Sequence, residues 1–534
     1  MKKIISSIYL FSAKFIHVLA LVFTGLLLVS GFLFTCYADD MTSQQVLTRV
    51  DNPFVNIIGT CIFLVPVLLC ANLACKNPSM SKRILLVIVF GWIVVLGGLL
   101  VLFGRTAPAA DAWSVYSAAD SLSMGDLSVI HPTDSYLSYY PQQVGLMAFF
   151  ELLIRLWKLL PIDLHAYHFI KCLYVILTCV IVYFQYRTVH LLWEDDRADC
   201  IYLILAGCNL PLIMYSSFVY GETPSFTAMT VGICCTLNLL KCSVDKRQPY
   251  AICGLLSLTL AVMLRKNSLV ILIAILLVVL LEALKENRRG LILFAVLCAV
   301  CSLSILPITQ KTYELRSGSA LRSGVPAMSY FAMGMQEASR GNGWYNGYNF
   351  DTYQENGMDA DAASEVSRQF MEERMEYFKN HPGYAVNFYW NKYLSQWADG
   401  TYASRQATLA TFGGRNDLVE SFYSGKNSRF YIGFCNLYQN VLYLGCFAGI
   451  FAAFLNRRKY PLYLWLGIIG AFGGFLFHMI WEANARYIFL YGLLLLPYAA
   501  WGIAELSNTS ALEKFRKNNT DHKSDATETQ AIAG

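Results

Sequence analysis

Charged residues are scarce in this chain of 534 residues, in which Asp, Glu, Lys and Arg make up only 14% and hydrophobic residues 56%. Its mean hydropathy of +0.45 is far above that of a soluble globular chain of this size. The deficit of charge excludes water as the main solvent of the protein. The basic residues give a net charge of +5 but are scattered in short loops, so nucleic acid is not an expected partner.

Cysteine is absent from the long hydrophilic stretch 310–429, although the chain contains 16 cysteines. That absence excludes a disulfide-stapled outer domain. The cysteines lie within or beside apolar runs and lack metal-ligand spacing, so most are predicted to be small packing residues. No cofactor or metal is assigned from the sequence, and a requirement for a divalent metal is left open.

Long apolar runs are abundant, and each approaches the roughly 20 residues with which a helix crosses about 30 Å of hydrocarbon. The first run is long for a signal peptide and is followed by no small-x-small cleavage site, so it is predicted to be an anchor. The sequence therefore predicts an all-α polytopic membrane protein with about 12 transmembrane helices. The predicted spans are 13–34, 54–75, 84–104, 165–188, 199–219, 224–242, 249–264, 267–284, 290–308, 431–455, 461–480 and 486–506.

Lys and Arg between the spans predict the orientation of the chain. With the N-terminus inside, basic clusters such as Arg457-Arg458-Lys459 fall on the cytoplasmic side. Two hydrophilic segments, 105–138 and 310–429, then face outward. The apolar stretch 139–160 would invert every later loop if it crossed, so it is predicted to lie in the outer interface.

These patterns divide the chain into five parts. Acidic residues early in 361–380, followed by His381-Pro382-Gly383, predict one long helix of the outer domain that ends there. The predicted parts are two extra N-terminal transmembrane helices (1–83), a transmembrane core (84–309) with a first outer loop (105–138) and an interfacial helix (139–160), a mixed outer-side soluble domain (310–430), C-terminal transmembrane helices (431–506) and a disordered cytoplasmic tail (507–534).

An acidic residue begins the first outer segment. Asp111 comes directly before a stretch in which Val115, Ala118, Ala119 and Leu122 recur with helical spacing. The pattern predicts a helix that lies along a surface, with Asp111 at its start near the membrane. Asp is also a favoured residue at helix starts for purely structural reasons.

Basic residues occur on the outer side at two places. Arg265 and Lys266 break the rule that basic residues collect inside, and a basic pair between two spans suits a phosphate or pyrophosphate group. The alternative is a pair that snorkels and tethers the turn to lipid headgroups. Arg486 has the same two interpretations, or it pairs with Glu482 four residues earlier. Glu222 adds an acid at another external turn.

One set of residues forms a recognisable pattern: Asp111, Tyr116, Ala119, Gly125-Asp126, the segment YLSYYPQQVG at 136–145, Arg265-Lys266 and Arg486-Tyr487. This pattern resembles that of the GT-C superfamily, specifically its protein O-mannosyltransferase and aminoarabinose-transferase branch. The resemblance covers roughly residues 84–506 and is one of pattern and topology. That branch commonly has Asp-Glu where this chain has Asp111-Ala112, and the two spans before residue 84 depart from it.

The resemblance implies a GT-C-like bundle and an inverting glycosyltransferase. It would transfer a sugar from a polyprenyl-phosphate donor to an envelope glycan, lipid or protein, in contact with membrane lipids at the outer face of the membrane. Separately from the resemblance, the positive N-terminus and the lack of organelle signals fit a bacterial plasma membrane. Asp111 would be the general base, with Glu222 as its partner or orienting the acceptor. Arg265, Lys266 and Arg486 would neutralise the departing phosphate. Residues proposed to contact acceptor or sugar are Tyr116, Tyr140, Gln142, Trp344 and Trp390.

Two other classes of protein share part of this pattern. A polytopic transporter or lipid flippase also has an even number of spans, but it places ionisable residues near the bilayer midplane, whereas here they gather at outer span ends. A surface-polysaccharide polymerase or ligase would share the lipid-phosphate recognition. His381, the only histidine in the large hydrophilic segment, is the candidate base for such an enzyme.

Overall fold

The computed structural model describes residues 2–38, 45–131, 133, 135–242, 247–458 and 460–507. Within these residues, eleven helices are long and apolar enough to cross a membrane, which confirms an all-α polytopic membrane protein. In chain order the helices are α1 (Lys2–Leu33), α2 (Pro53–Ala74), α3 (Pro78–Phe103), α4 (Ala110–Ser123), α5 (Tyr136–Tyr139), α6 (Val144–Lys158), α7 (Ala166–Trp193), α8 (Asp196–Gly207), α9 (Leu210–Tyr215), α10 (Glu222–Lys241), α11 (Arg247–Leu264), α12 (Ser268–Glu286), α13 (Arg289–Ser317), α14 (Ala327–Gly334), α15 (Tyr348–Glu355), α16 (Ala360–Asn380), α17 (Pro382–Trp397), α18 (Ser404–Ala407), α19 (Asp417–Glu420), α20 (Lys426–Leu455), α21 (Leu466–Ile480) and α22 (Ala485–Leu506). The spans among them are α1, α2, α3, α7, α10, α11, α12, α13, α20, α21 (with a preceding 3-10 turn, Leu462–Trp465) and α22.

The predicted span 199–219 is a pair of shorter helices, α8 and α9. Asn209 causes the break, because its side chain accepts a hydrogen bond from the Leu212 amide and so starts a new helix. The pair nevertheless extends along the whole of α3. Near the start of α3, Lys82 pairs with Asp196, and just beyond its end Thr106 donates to Ser217 at 3.4 Å. The broken pair therefore extends over the same length as α3, although it is not one of the eleven candidate spans.

Two helices form the centre of the bundle. The apolar segments of α22 and α10 are 94% and 89% buried, against 17% in α2 at the lipid-facing periphery. Small residues allow α22 to approach α20 closely, since a Cβ at Gly502 would lie only 1.8 Å from the carbonyl oxygen of Gly445. Such contact between small residues is a common source of stability in membrane helix pairs.

A hairpin joins the first two spans to the outer domain, which is the helical region α14–α19. Strands β1 (Phe34–Ala38) and β2 (Val46–Val50) pair antiparallel, and the Cys36 amide donates to the Ala398 carbonyl at 2.8 Å. The Val46 amide donates to the Arg340 carbonyl at 2.9 Å. The first two helices are thus built into the fold and are not an appendage. The named strands of the described residues belong to this hairpin, whereas the elements described within 310–430 are helices.

The segment predicted to lie in the outer interface forms α5, a 3-10 turn (Pro141–Gln143) and α6. With 15 residues α6 is too short to cross about 30 Å of hydrocarbon. It contacts α4, where Arg155 donates to the Leu122 carbonyl at 2.7 Å. It also contacts the outer end of α13, where Glu151 pairs with Arg316 at 3.0 Å. This segment therefore lies at the end of the bundle that carries the helical region α14–α19, which we call the outer end after its predicted orientation.

The outer domain follows the predicted helix boundaries in its second half. Helix α16 ends at Asn380, directly before His381, as the sequence predicts. The first outer loop is fixed to this domain, because the Ala107 amide donates to Ala410 and the Phe412 amide to Arg105, at 2.8 and 2.9 Å. Residues 508–534 of the predicted tail lie outside the described residues.

Candidate functional site

A cavity of about 750 Å³ lies at the outer end of the bundle, beneath the outer domain. Its walls come from the start of α4, the turn before α6, the junction of α11 and α12, the loop between α21 and α22, and the segment 340–349. Parts of the chain that are hundreds of residues apart therefore meet around one space. The predicted site residues that line it are Asp111, Tyr140, Gln142, Arg265, Lys266, Trp344 and Arg486.

The basic wall is organised by a buried carboxylate. Glu222 opens α10 and is fully buried. Arg265 donates to its Oε1, and the Arg486 Nε lies 3.5 Å from the same oxygen. Because the single negative charge of Glu222 compensates only one of the two guanidiniums, this cluster presents a net positive charge to the cavity. Lys266 is exposed, and no ion pair involves it among the described residues.

Glu222 does not line the cavity, which corrects its predicted catalytic role. Its side chain is buried and paired with two arginines, so it is not placed to take a proton from an acceptor. Its geometry is that of a residue that positions Arg265 and Arg486. The burial of Glu222 depends on tertiary packing, so it could not be predicted from the position of an acidic residue at an external turn.

Aromatic rings hold the two guanidiniums in place. The Arg265 guanidinium lies 5.8 Å from the ring centre of Tyr220 and 5.7 Å from that of Tyr487. The Arg486 guanidinium lies 5.8 and 5.3 Å from the same two rings. Cation–π contacts of this length are favourable. Gln143 braces one ring, since its amide donates to the Tyr220 hydroxyl at 2.7 Å.

The acid wall begins at the start of α4. Asp111 is exposed towards the cavity, and the N-cap position belongs to Ala109, so the carboxylate is not used as the cap. Ala110 has a φ of +47°, an uncommon backbone conformation that turns the chain into the helix. Tyr136 lies nearby, and burial, with further contributions from Tyr220 and Asp111, raises the pKa of its hydroxyl.

Glu482 is a second carboxylate of the cavity. It lies in the loop between α21 and α22, is 7% exposed, and accepts a hydrogen bond from the Tyr487 hydroxyl at 3.2 Å. Burial raises the pKa of Glu482 to about 7, with Arg486 acting in the opposite direction and Asp111 in the same one. The structure shows no ion pair between Glu482 and Arg486 among its described side chains. The sequence signal was an acid in an outer turn, interpreted only as a possible partner of Arg486.

Lys392 fixes the loop that carries Glu482. The fully buried ammonium of this α17 residue donates to the carbonyls of Gly334 and Trp481 at 2.5 and 2.7 Å. The Ala483 amide donates to Gly343 at 2.7 Å. Burial lowers the pKa of Lys392 to about 7. No local pattern predicts this role, because the partners are backbone carbonyls of two other segments.

The outer-domain wall presents polar and aromatic groups. The Trp344 indole N–H donates to the Ser395 hydroxyl at 2.9 Å, so only the ring face is left to contact a ligand. Arg340 and Tyr345 line the same wall. Asn349 is 1% exposed, and its Oδ1 has no hydrogen-bond partner within the described part of the chain. Arg340 and Asn349 were not predicted, because nothing in a Gly/Asn/Tyr-rich loop distinguishes a cavity wall from a surface turn.

The chain matches the sequence model of a family described as "Conserved hypothetical integral membrane protein" over residues 1–504. The chain belongs to this family. The match includes every helix and loop that contributes to the cavity. A search of curated proteins finds no match to the chain.

Two predicted sugar contacts of this integral membrane protein lie outside the cavity. Tyr116 is 3% exposed, and its hydroxyl is 3.3 Å from the His165 Nδ1. Trp390 packs edge-on against Phe34 and beside Tyr393, with ring centres 5.8 and 5.5 Å away. Both side chains serve packing between elements, which corrects this part of the prediction.

Metal binding was left open by the sequence. Within the described residues of this family member, no group of three or more His, Cys, Asp or Glu side chains is arranged to hold a metal ion. Asp111 and Glu482 are the acids that line the cavity.

Proposed function

We propose that this integral membrane protein is a GT-C-type glycosyltransferase at the outer face of a bacterial plasma membrane. It transfers a sugar, with inversion, from a polyprenyl-phosphate donor to an envelope glycan, lipid or protein. The observation that carries the proposal is that Asp111 faces the same cavity as Arg265, Lys266 and Arg486. The reaction needs a base for the acceptor and cations for the leaving phosphate, and this cavity holds both.

The shape of the cavity supports a lipid-linked donor. Below Lys266 its lining continues along α12 through Leu269, Val270 and Ile273, and along α21 through Phe477. Ile273 is 64% exposed on the surface of the bundle, where a membrane helix meets lipid. A basic wall that continues into an apolar strip suits a phosphate attached to a long hydrocarbon chain.

Each step of the transfer has a candidate group. The acceptor oxygen or nitrogen attacks the anomeric carbon, and Asp111 takes the proton that the acceptor loses. The bond between that carbon and the phosphate oxygen breaks, and the oxygen keeps the electron pair. Arg265, Lys266 and Arg486 stabilise the resulting charge. The products are an inverted glycoside and the polyprenyl phosphate.

The alternatives receive less support. For a polymerase or ligase with a histidine base, His381 would have to reach the donor, but it stacks on Tyr377 with ring centres 4.2 Å apart and does not line the cavity. For a transporter or flippase, ionisable groups near the bilayer midplane would be expected. The ionisable residues of this cavity lie at the outer ends of the spans.

Substitution of the base is the first test. Asp111→Asn keeps the size of the side chain but removes its ability to accept a proton, and loss of a general base typically slows a reaction about a hundredfold to ten-thousandfold. We expect that loss of transfer from a polyprenyl-phosphate sugar in liposomes, with donor binding retained. Asp126→Asn is the matched control, since Asp126 is an exposed acid of the same outer loop outside the cavity lining.

Substitution of the cations should behave differently. Arg265→Ala and Lys266→Ala should weaken donor binding as well as turnover, because the phosphate is charged before and during bond breaking. Unchanged transfer in Asp111→Asn would withdraw its catalytic role and make Glu482 the next candidate. Unchanged donor affinity in Arg265→Ala, Lys266→Ala and Arg486→Ala would contradict the lipid-phosphate donor and favour the transporter.

A further inference from the structure

Glu482 is a buried carboxylate of the cavity that forms no ion pair among the described residues, although Arg486 and Arg340 favour its charged form. It is 7% exposed, and no Lys or Arg nitrogen among the described residues forms an ion pair with it. Its hydrogen-bond donor is the Tyr487 hydroxyl, at 3.2 Å. The backbone around it is fixed by Lys392 through the Trp481 carbonyl and by His478, whose Nδ1 is 3.2 Å from the Glu482 carbonyl oxygen. The side chain is therefore held beside the space that a ligand would occupy.

An isolated buried carboxylate favours its neutral form, because desolvation penalises the charge. An anion that enters the same cavity adds negative potential and increases this preference. A neutral carboxyl also gains a function that the carboxylate lacks, since its O–H can donate a hydrogen bond to a phosphate oxygen. A charged Glu482 at the same position would repel the phosphate.

We propose that Glu482 binds the phosphate of the lipid-linked donor in its protonated form, so that donor binding is coupled to the uptake of one proton. The proton comes from solvent and stays on Glu482 as long as the phosphate is bound. The inference rests on the proposed function, because it takes the donor to be a phosphate ester. It adds a phosphate ligand that works with the arginines but depends on pH.

The neighbours of Glu482 determine whether its titration can be observed separately. Burial raises the pKa values of Tyr140, Tyr330 and Tyr345, so these hydroxyls keep their protons at neutral pH. Lys392 titrates in the same range as Glu482, with a pKa of about 7. The Lys392 ammonium donates to backbone carbonyls, so a substitution of the Glu482 side chain leaves these hydrogen bonds in place. Comparison of such a variant with the wild type therefore separates the titration of Glu482 from that of Lys392. The titratable and charged groups that face Glu482 are Asp111, Tyr140, Tyr330, Arg340, Tyr345, Lys392, His478, Arg486 and Tyr487.

The test is the pH dependence of phosphate-ester binding. The probe is a polyprenyl methyl phosphate, a diester that stays a monoanion throughout, titrated into the full-length protein in nanodiscs. For the wild type we expect the dissociation constant to rise about tenfold between about pH 6 and about pH 9, because the ionised form of Glu482 loses the hydrogen bond and repels the anion. Glu482→Gln keeps a donor N–H but cannot ionise, so its affinity should be independent of pH.

Two further variants support the assignment. Tyr487→Phe removes the hydrogen bond that favours the charged carboxylate, so the loss of affinity should shift to higher pH. This variant also carries the test if Glu482→Gln does not fold. Arg265→Ala should weaken binding at every pH while the pH dependence of the wild type is kept.

The outcomes distinguish this inference from the proposed function. If the wild type binds the diester with the same affinity at every pH, the inference is wrong. It is also wrong if Glu482→Gln keeps the pH dependence of the wild type, and Lys392 then becomes the candidate for the titration. If the wild type does not bind the diester at any pH, the proposed lipid-phosphate donor fails, and the inference fails with it.

Discussion

Replacement of Glu222 by glutamine tests whether this residue positions the arginines or acts in chemistry. Glu222→Gln keeps the volume of the side chain but removes the charge that lies between Arg265 and Arg486. Two guanidiniums that share one oxygen of the carboxylate would then face each other without compensation. We expect a less stable protein in which both guanidiniums are available to an anion in the cavity.

The magnitude follows from the burial of the cluster. Removal of one partner from a buried ion pair typically costs about 3–5 kcal/mol, because the remaining charge is left unpaired. The Glu222 side chain is fully buried, but Arg265 and Arg486 are 14% and 20% exposed, so water in the cavity screens part of the repulsion. We therefore expect a loss near the lower end, about 3 kcal/mol.

Thermal unfolding in detergent measures the effect. The midpoint of Glu222→Gln should lie several degrees below that of the wild type, and inorganic phosphate should raise it more than it raises the wild-type midpoint. Glu337→Gln is the control, since Glu337 pairs with Arg374 while 53% exposed, and surface pairs contribute little. An unchanged midpoint together with lost transfer would contradict the positioning role and return Glu222 to the catalytic candidates.

Two further predictions concern the packing and orientation of the spans. Gly502→Leu should abolish the yield of folded protein in gel filtration, because its side chain would overlap Gly445 of α20. Gly433→Ala, also in α20, should have no effect, because a Cβ there meets nothing within 4 Å. Equal yields of the two variants would contradict the packing argument. A cysteine at exposed Ser339 should react with a membrane-impermeant maleimide in intact cells, whereas one at Ser79 should react only after lysis. The reverse pattern would refute the orientation and the mechanism that depends on it.

The spans and part of the site were predictable because the bilayer imposes strong local constraints. Apolar runs indicated the helices, and the misplaced charges of Arg265 and Lys266 indicated a basic wall without knowledge of the fold. The break between α8 and α9 also had a local signal, since Asn209 and Pro211 are typical of a helix start. The apolar run is about as long as one membrane-spanning helix, so its length alone favours a single helix over a broken pair.

The remaining parts of the site depend on contacts that no local pattern encodes. Glu222 and Glu482 are both acids at outer turns, yet the fold buries one beneath the arginines and places the other in the cavity wall. Lys392 resembles an ordinary helix residue until the carbonyls of Gly334 and Trp481 surround it. Aromatic side chains were the least predictable, because a ring suits packing and sugar binding equally well. Trp390 shows the first use and the ring face of Trp344 is available for the second.

The hairpin between the first two spans has a consequence for the order of synthesis. Its strands are made before residue 51, but their partners at Arg340 and Ala398 emerge from the ribosome about three hundred residues later. The polar edges of the hairpin must therefore remain without these two partners until most of the bundle has been made. The outer domain becomes complete only when residues beyond the middle of the chain close onto the first tenth.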